Sequence, residues 1–193
     1  MTRYAKGERS EPKSQEGPDR TPEAQPDARH ALGREVCLRL LTTAPRTRAQ
    51  LADAMRRRGV PDDAAEEVLG QLTDARLVDD TAFAKAWVES RHHARGLSRR
   101  TLQQELRQRG VDADDIDTAV ETLEPEQETE TARRLTERKL AATRGQPDAT
   151  RVRKAASMLA RKGYPPGLAF RLIREAMESE GADPAGLENF PDE

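Results

Sequence analysis

The stretch Leu51-Ala-Asp-Ala-Met55-Arg-Arg-Arg-Gly59-Val60 returns 51 residues later as Leu102-Gln-Gln-Glu-Leu106-Arg-Gln-Arg-Gly110-Val111. Both read Leu-x3-apolar-x2-Arg-Gly-Val. A looser third copy is Ala155-x3-Leu159-Ala-Arg-Lys-Gly163-Tyr164. The four-residue apolar spacing puts each pair on one face of a helix. Each glycine stands where a helix closes in a left-handed residue, after cationic side chains that suit its C-terminus. Pro61-Asp62-Asp63 and Asp112-x-Asp114-Asp115 follow, predicting N-terminal caps and acidic first turns for the next helix. Beyond them Leu69 matches Val120, Leu72 matches Leu123, and Ala169, Leu172 and Ile173 continue the third copy. Self-similarity at a fixed period marks a repeat architecture.

A leading helix precedes each copy. The first supplies Leu32, Val36, Leu40 and Leu41; the second, opening at Asp79-Asp80 and closing near Gly96, supplies Phe83, Ala84, Trp87 and Val88; the third, after Pro125, supplies Ala132, Leu135 and Leu140. The pattern therefore predicts an all-α chain of three tandem three-helix repeats, with helical groups over about 31–74, 79–122 and 126–178. The units are expected at 31–78, 79–123 and 124–180, flanked by a disordered leader, 1–30, and a flexible tail, 181–193. Short helices need neighbours to bury their apolar stripes, so the units should stack into an elongated, curved, right-handed, solenoid-like body.

Composition supports this. Of 193 residues, 35% are hydrophobic, 35% charged and only 3% aromatic, too few aromatics for a sandwich or barrel. No stretch approaches the roughly 20 apolar residues of a membrane span, and no apolar signal core opens the chain, so a cytoplasmic location is expected. Cys37, the single cysteine, lies in an apolar helical run and reads as a small buried hydrophobe.

The net charge of −2 conceals segregation. Residues 131–174 carry twelve Lys/Arg against Glu137 and Asp148, whereas 110–130 carry nine acids and no base. The middle helix of every unit is basic: five arginines against Asp53 over 46–58, four against Glu105 over 98–109, and five cations against Asp148 over 148–162. The last helix of the first two units holds five acids and no base. Units stacked in register would lay the middle helices out as a basic track. Solvated side chains placed to suit helix dipoles explain part of this pattern, but the cationic excess of the third unit exceeds what capping requires.

No chemistry is visible. Adjacent His92 and His93 point about 100° apart on a helix and cannot share a metal. Ser90, Ser98 and Ser157 stand in no nucleophile turn, and no glycine-rich phosphate loop occurs. Asp79-Asp80 read as an N-terminal cap. Catalytic residues, metals and cofactors are therefore not expected. Phe83 and Trp87, four apart, are expected to fill core rather than form a base-stacking platform.

The run Asp79-Asp80-x2-Phe83-Ala84-x2-Trp87-Val88-x2-Arg91-x4-Gly96-x5-Leu102-x2-Glu105-Leu106-x2-Arg109-Gly110-Val111 resembles the signature of the RecX family. Arg46-Thr47-Arg48-Ala49-Gln50-Leu51 is similar to its first-unit motif, with Thr47 where serine is usual and Gln50 where an acid is usual. The resemblance spans about 31–178. It implies a non-enzymatic regulator that binds the RecA filament on DNA, limiting its ATPase, co-protease and strand-exchange activities in DNA repair and the SOS response.

On that reading Arg91, Arg95, Arg99, Arg100, Arg151, Arg153, Lys154, Arg161 and Lys162 are the candidate filament or DNA contacts, acting on phosphates or acidic protein surface. Phe83, Trp87, Leu102, Leu106 and Gly110 would hold the middle unit. Contacts to single- or double-stranded DNA would run through phosphates, no membrane is involved, and a monomer is expected. The competing function is a helix-turn-helix transcription regulator, which would need one recognition helix and usually a dimer.

Overall fold

Thr47 and Ser98 each begin a middle helix by the same device, a hydroxyl that accepts a backbone N–H of the first turn. Thr47 Oγ1 accepts from Gln50 N at 3.2 Å, and the Gln50 carboxamide accepts in return from Thr47 N at 3.3 Å. Ser98 Oγ accepts from Thr101 N at 3.3 Å. In the computed structural model, which describes residues 26–181, these helices are α2 (Arg48–Arg56) and α5 (Arg99–Arg107). Around them run α1 (Pro26–Leu41), α3 (Asp62–Asp74), α4 (Asp80–Arg95), α6 (Ala113–Glu121), α7 (Pro125–Ala141), α8 (Asp148–Arg161) and α9 (Pro166–Ser179). The described residues contain no strand.

The helices group as expected, into α1–α3, α4–α6 and α7–α9. The first begins at Pro26, ahead of the expected 31, so part of the anticipated leader is helical; the rest of the leader and the tail beyond 181 lie outside the described residues. Asp79 caps α4 by accepting from Ala82 N at 2.8 Å. Pro61 and Asp112 occupy the cap positions of α3 and α6 without a side-chain cap bond; in α3 Asp63 accepts instead from Ala64 N at 2.8 Å, and the acids of both first turns suit the helix dipole. Gly59, Gly110 and Gly163 are left-handed, with φ of +77°, +73° and +85°.

Each unit has its own core. Val36, Cys37, Leu51, Met55, Val68 and Leu69 close the first; Ala84, Val88, Leu102, Leu106, Ile116 and Val120 the second; Ala132, Leu140, Leu159, Leu172, Ile173 and Met177 the third. Burial pushes the Cys37 thiol above its ordinary range, which suits its packing role. The apolar stripes are thus satisfied within units, contrary to the expectation that burial would need neighbours.

The hydrogen bonds between units repeat from joint to joint. At the first joint the Thr47 hydroxyl donates to the Arg109 carbonyl at 2.7 Å, and Arg48 N–H donates to Asp80 Oδ1 at 2.9 Å. At the second joint Ser98 N–H and the Thr101 hydroxyl donate to the Lys162 carbonyl at 2.9 and 3.1 Å, and Arg99 N–H donates to Glu128 Oε1 at 2.9 Å. In both, the N-terminus of a middle helix receives the C-terminal carbonyl end of the next middle helix, plus a carboxylate from the next leading helix. Unpaired N–H and C=O groups at helix ends satisfy one another, with dipoles aligned head to tail.

Asp80 offers a test of the first joint. Burial pushes its carboxyl above the usual carboxylate range, and the charges of Asp115 and Asp112 add to this against the Arg48 amide and cation. The fold therefore favours the protonated form, and this stabilisation is present below the ordinary aspartate range and lost as pH rises through the raised pKa. Asp80→Asn should keep the acceptor for Arg48 N–H and flatten the pH dependence of thermal unfolding just above the ordinary aspartate range. Asp80→Ala should cost about 1–2 kcal/mol by orphaning that N–H.

Candidate nucleic-acid interface

The joints run the middle helices end to end, α8 onto α5 and α5 onto α2, so the three basic helices form one row. The nine expected contact cations divide sharply along it. Arg100, Arg153 and Arg161 are exposed and engage no acid among the described residues; Lys154 is exposed and donates only to the Gln146 carboxamide at 2.7 Å. Arg95 is 56% exposed, with Glu105 at a loose 3.9 Å. These five are available to a partner.

The other four are structural in part or whole. Arg151 is 7% exposed, with Nη1 donating to Asp148 at 3.1 Å and Nη2 shared between Glu180 and the Leu140 carbonyl. Its expected role as a surface contact is therefore corrected: it ties together the ends of α7, α8 and α9. Arg99 donates through its guanidinium to the Leu123 carbonyl and pairs with Glu128 at 3.8 Å, clamping the second joint. Lys162 is half-buried and donates through Nζ to the Arg95 carbonyl. Arg91 lies over the Trp87 ring, its guanidinium carbon 4.1 Å from the centroid.

Trp87 is half-buried against the middle unit's core. It stacks on Phe83 with centroids 5.7 Å apart, and Nε1 donates to Glu105 Oε2 at 2.8 Å. Arg109 also lies over this ring, at 3.7 Å. Two guanidiniums and Phe83 already engage the indole, so the ring anchors cations instead of offering a face to a base. Burial pushes the Arg109 guanidinium below its ordinary range, with Arg91 adding to this against Glu105. Leu102 and Leu106 are fully buried, and a Cβ on Gly110 would stand 2.4 Å from that of Ala49.

A cleft of about 430 Å³ opens between the second and third units, lined by His92, Arg95, Thr131, Arg134, Arg138 and Lys162. Neither Arg134 nor Arg138 was singled out by the sequence pattern, because only the fold brings α4, α7 and the end of α8 together. The joint residues Thr47, Ser98 and Thr101 were also missed as such. For Thr47 and Ser98 the signal was present, as hydroxyls placed to cap the basic helices.

Comparison with known proteins matches all three units. Models described as the first, second and third three-helix domains of RecX match residues 34–72, 79–120 and 126–173. The regulatory protein RecX of Thermobifida fusca (strain YX) is 57% identical over 160 residues, covering 83% of this chain and 86% of its own. That of Streptomyces lividans is 59% identical over 150 residues, covering 78% and 80%. The crystal structure of RecX from Lactobacillus salivarius shares the fold, with a TM-score of 0.69 at 19% identity over 78% of this chain and 97% of that one.

Proposed function

Because this chain belongs to the RecX family of regulatory proteins, we propose that it binds the RecA recombinase filament on DNA and restrains ATP hydrolysis, co-protease action and strand exchange. The supporting observation is the row of basic helices joined end to end, which presents Arg100, Arg153, Lys154 and Arg161 as exposed cations. Cations repeated along a row suit the repeated phosphates of a nucleic-acid polymer. Contacts of that kind are sequence-blind and weaken steeply with salt. Its work in DNA repair is done by binding, at a cytoplasmic filament, without a catalytic step. No helix among the described residues is long and apolar enough to cross a membrane.

The test is RecA's DNA-dependent ATPase with this protein added below stoichiometry. Wild type should lower the rate. The triple reversal Arg100→Glu, Arg153→Glu and Lys154→Glu should weaken inhibition about tenfold, with helix content by circular dichroism unchanged. A rate untouched by equimolar wild type rejects the reading. Affinity varying more than about a thousandfold among unrelated duplexes would instead favour a sequence-reading regulator.

A further inference from the structure

We propose that the cleft between the second and third units is a phosphate-binding site for a nucleic-acid backbone, and that an occupied cleft pins those two units together. This rests on the reading that the protein works on DNA and assigns the place of contact, which lies at the joint and not only on the outer faces of the middle helices.

Charge is the first ground. Arg95, Arg134, Arg138 and Lys162 line the cleft, and Arg161 stands close enough to bear on Lys162. Their acidic partners are loose: Glu105 is 3.9 Å from Arg95, and Glu130 is 3.9 Å from Arg134. Arg138 and Arg161 have no ion pair among the described residues. The Lys162 ammonium shows the imbalance, because burial first, and then Arg95, Arg138 and Arg161, push it below its ordinary range. An anion is what this cluster lacks.

Preorganisation is the second. His92 Nδ1 lies 2.9 Å from the Leu97 carbonyl, which can only accept, so that nitrogen carries the proton in the neutral ring. Nε2 then accepts from the Thr131 hydroxyl at 2.9 Å, and the Thr131 oxygen accepts in turn from Arg134 Nη2 at 3.2 Å. This chain of bonds orients Arg134, whose side chain is 68% exposed, before any ligand arrives. The cleft wall has no Phe, Tyr or Trp to stack a base, which favours the phosphodiester over the nucleobase.

The link to the joint is Lys162 itself. Its carbonyl receives Ser98 N–H and the Thr101 hydroxyl, its ammonium donates to the Arg95 carbonyl, and the Tyr164 hydroxyl donates to the adjoining Gly96 carbonyl at 3.1 Å. A phosphate bridging Lys162 and Arg138 to Arg95 would neutralise the repulsion across the seam. The neighbouring cavity of about 630 Å³ shares His92, His93, Thr131 and Arg134 but sets Glu89 and Glu130 against Lys85 and Arg134, a balance that selects no anion.

Fluorescence anisotropy of a labelled oligothymidylate tests the assignment on the full chain. Arg138→Glu should weaken binding at least tenfold at 0.1 M salt, whereas Arg174→Glu, an exposed reversal on α9, should change it less than threefold. Hydrogen exchange at the Ser98 and Arg99 amides should slow on oligonucleotide addition in wild type and not in Arg138→Glu. Equal effects of the two reversals, or exchange indifferent to oligonucleotide, overturn the proposal. Inorganic pyrophosphate competed against wild type in the same assay separates the sources: pyrophosphate binding lost in Arg138→Glu with oligonucleotide affinity intact would mark a small-anion site and also overturn it. Intact oligonucleotide binding beside an unaffected RecA ATPase would remove the regulatory reading and leave the cleft standing.

Discussion

Gly163→Ala is expected to loosen the second joint, and Gly59→Ala to leave the joints alone, although both glycines end a middle helix in the same conformation. A Cβ at either residue meets the left-handed penalty, about 1–2 kcal/mol. At Gly59 nothing lies within 4 Å of the added atom. At Gly163 it would stand 2.0 Å from Thr101 Oγ1 and 2.5 Å from Ser98 Oγ. Thr101 can clear that clash only by turning its hydroxyl away from the Lys162 carbonyl, which loses a joint bond. The further loss should be about 1–3 kcal/mol, the scale of an overpacked site. Chemical unfolding of the two variants measures the difference, and amide exchange at Ser98 locates it. Equal losses would mean that the joint bears no load.

Arg151→Glu should unfold the third unit, while Arg153→Glu, two residues on, stays within about 0.5 kcal/mol of wild type. The Arg151 guanidinium is 7% exposed and joins Asp148, Glu180 and the Leu140 carbonyl. Reversal sets a third carboxylate beside two others in a poorly solvated place, which costs about 3–5 kcal/mol. Arg151→Met keeps the apolar stem against the core. Glu180, 23% exposed, can then turn to water, so the loss should be smaller, about 1–2 kcal/mol. Exchange should rise in α8 and α9 and at the Ser98 and Arg99 amides that bond to the third unit, and not in α2 or the rest of α5, because the three cores are separate. A stable Arg151→Glu would mean that this cation faces solvent after all.

Arg151 also shows how the apolar pattern could have sorted the cations. It stands four residues before Ala155 and eight before Leu159, on the stripe that packs inward, and Arg99 stands three before Leu102 and seven before Leu106. Both lie on the core side of their helices by periodicity alone. Arg153, Lys154 and Arg161 fall off that stripe and are exposed. Net charge per helix weighs all of these equally, so it marked the basic helices and overcounted the cations free to act. Trp87 is the opposite case. Its four-residue spacings from Phe83 and Arg91 mark a face shared within α4, but the Arg109 guanidinium on its ring comes from beyond the end of α5, which only the fold brings there.

The chain's own order of residues determined the helices, their triplet grouping and the left-handed glycines, because each depends on contacts within about four residues or on a period repeated along the backbone. The tertiary structure alone decided that each triplet closes its own core, that middle helices meet end to end, and that Arg95, Arg134, Arg138 and Lys162 share a cleft. The cores and the cleft gather side chains from distant positions, and each joint bond has a backbone carbonyl or amide on at least one side. Every residue but proline carries both groups, so no side-chain pattern can announce which of them will meet.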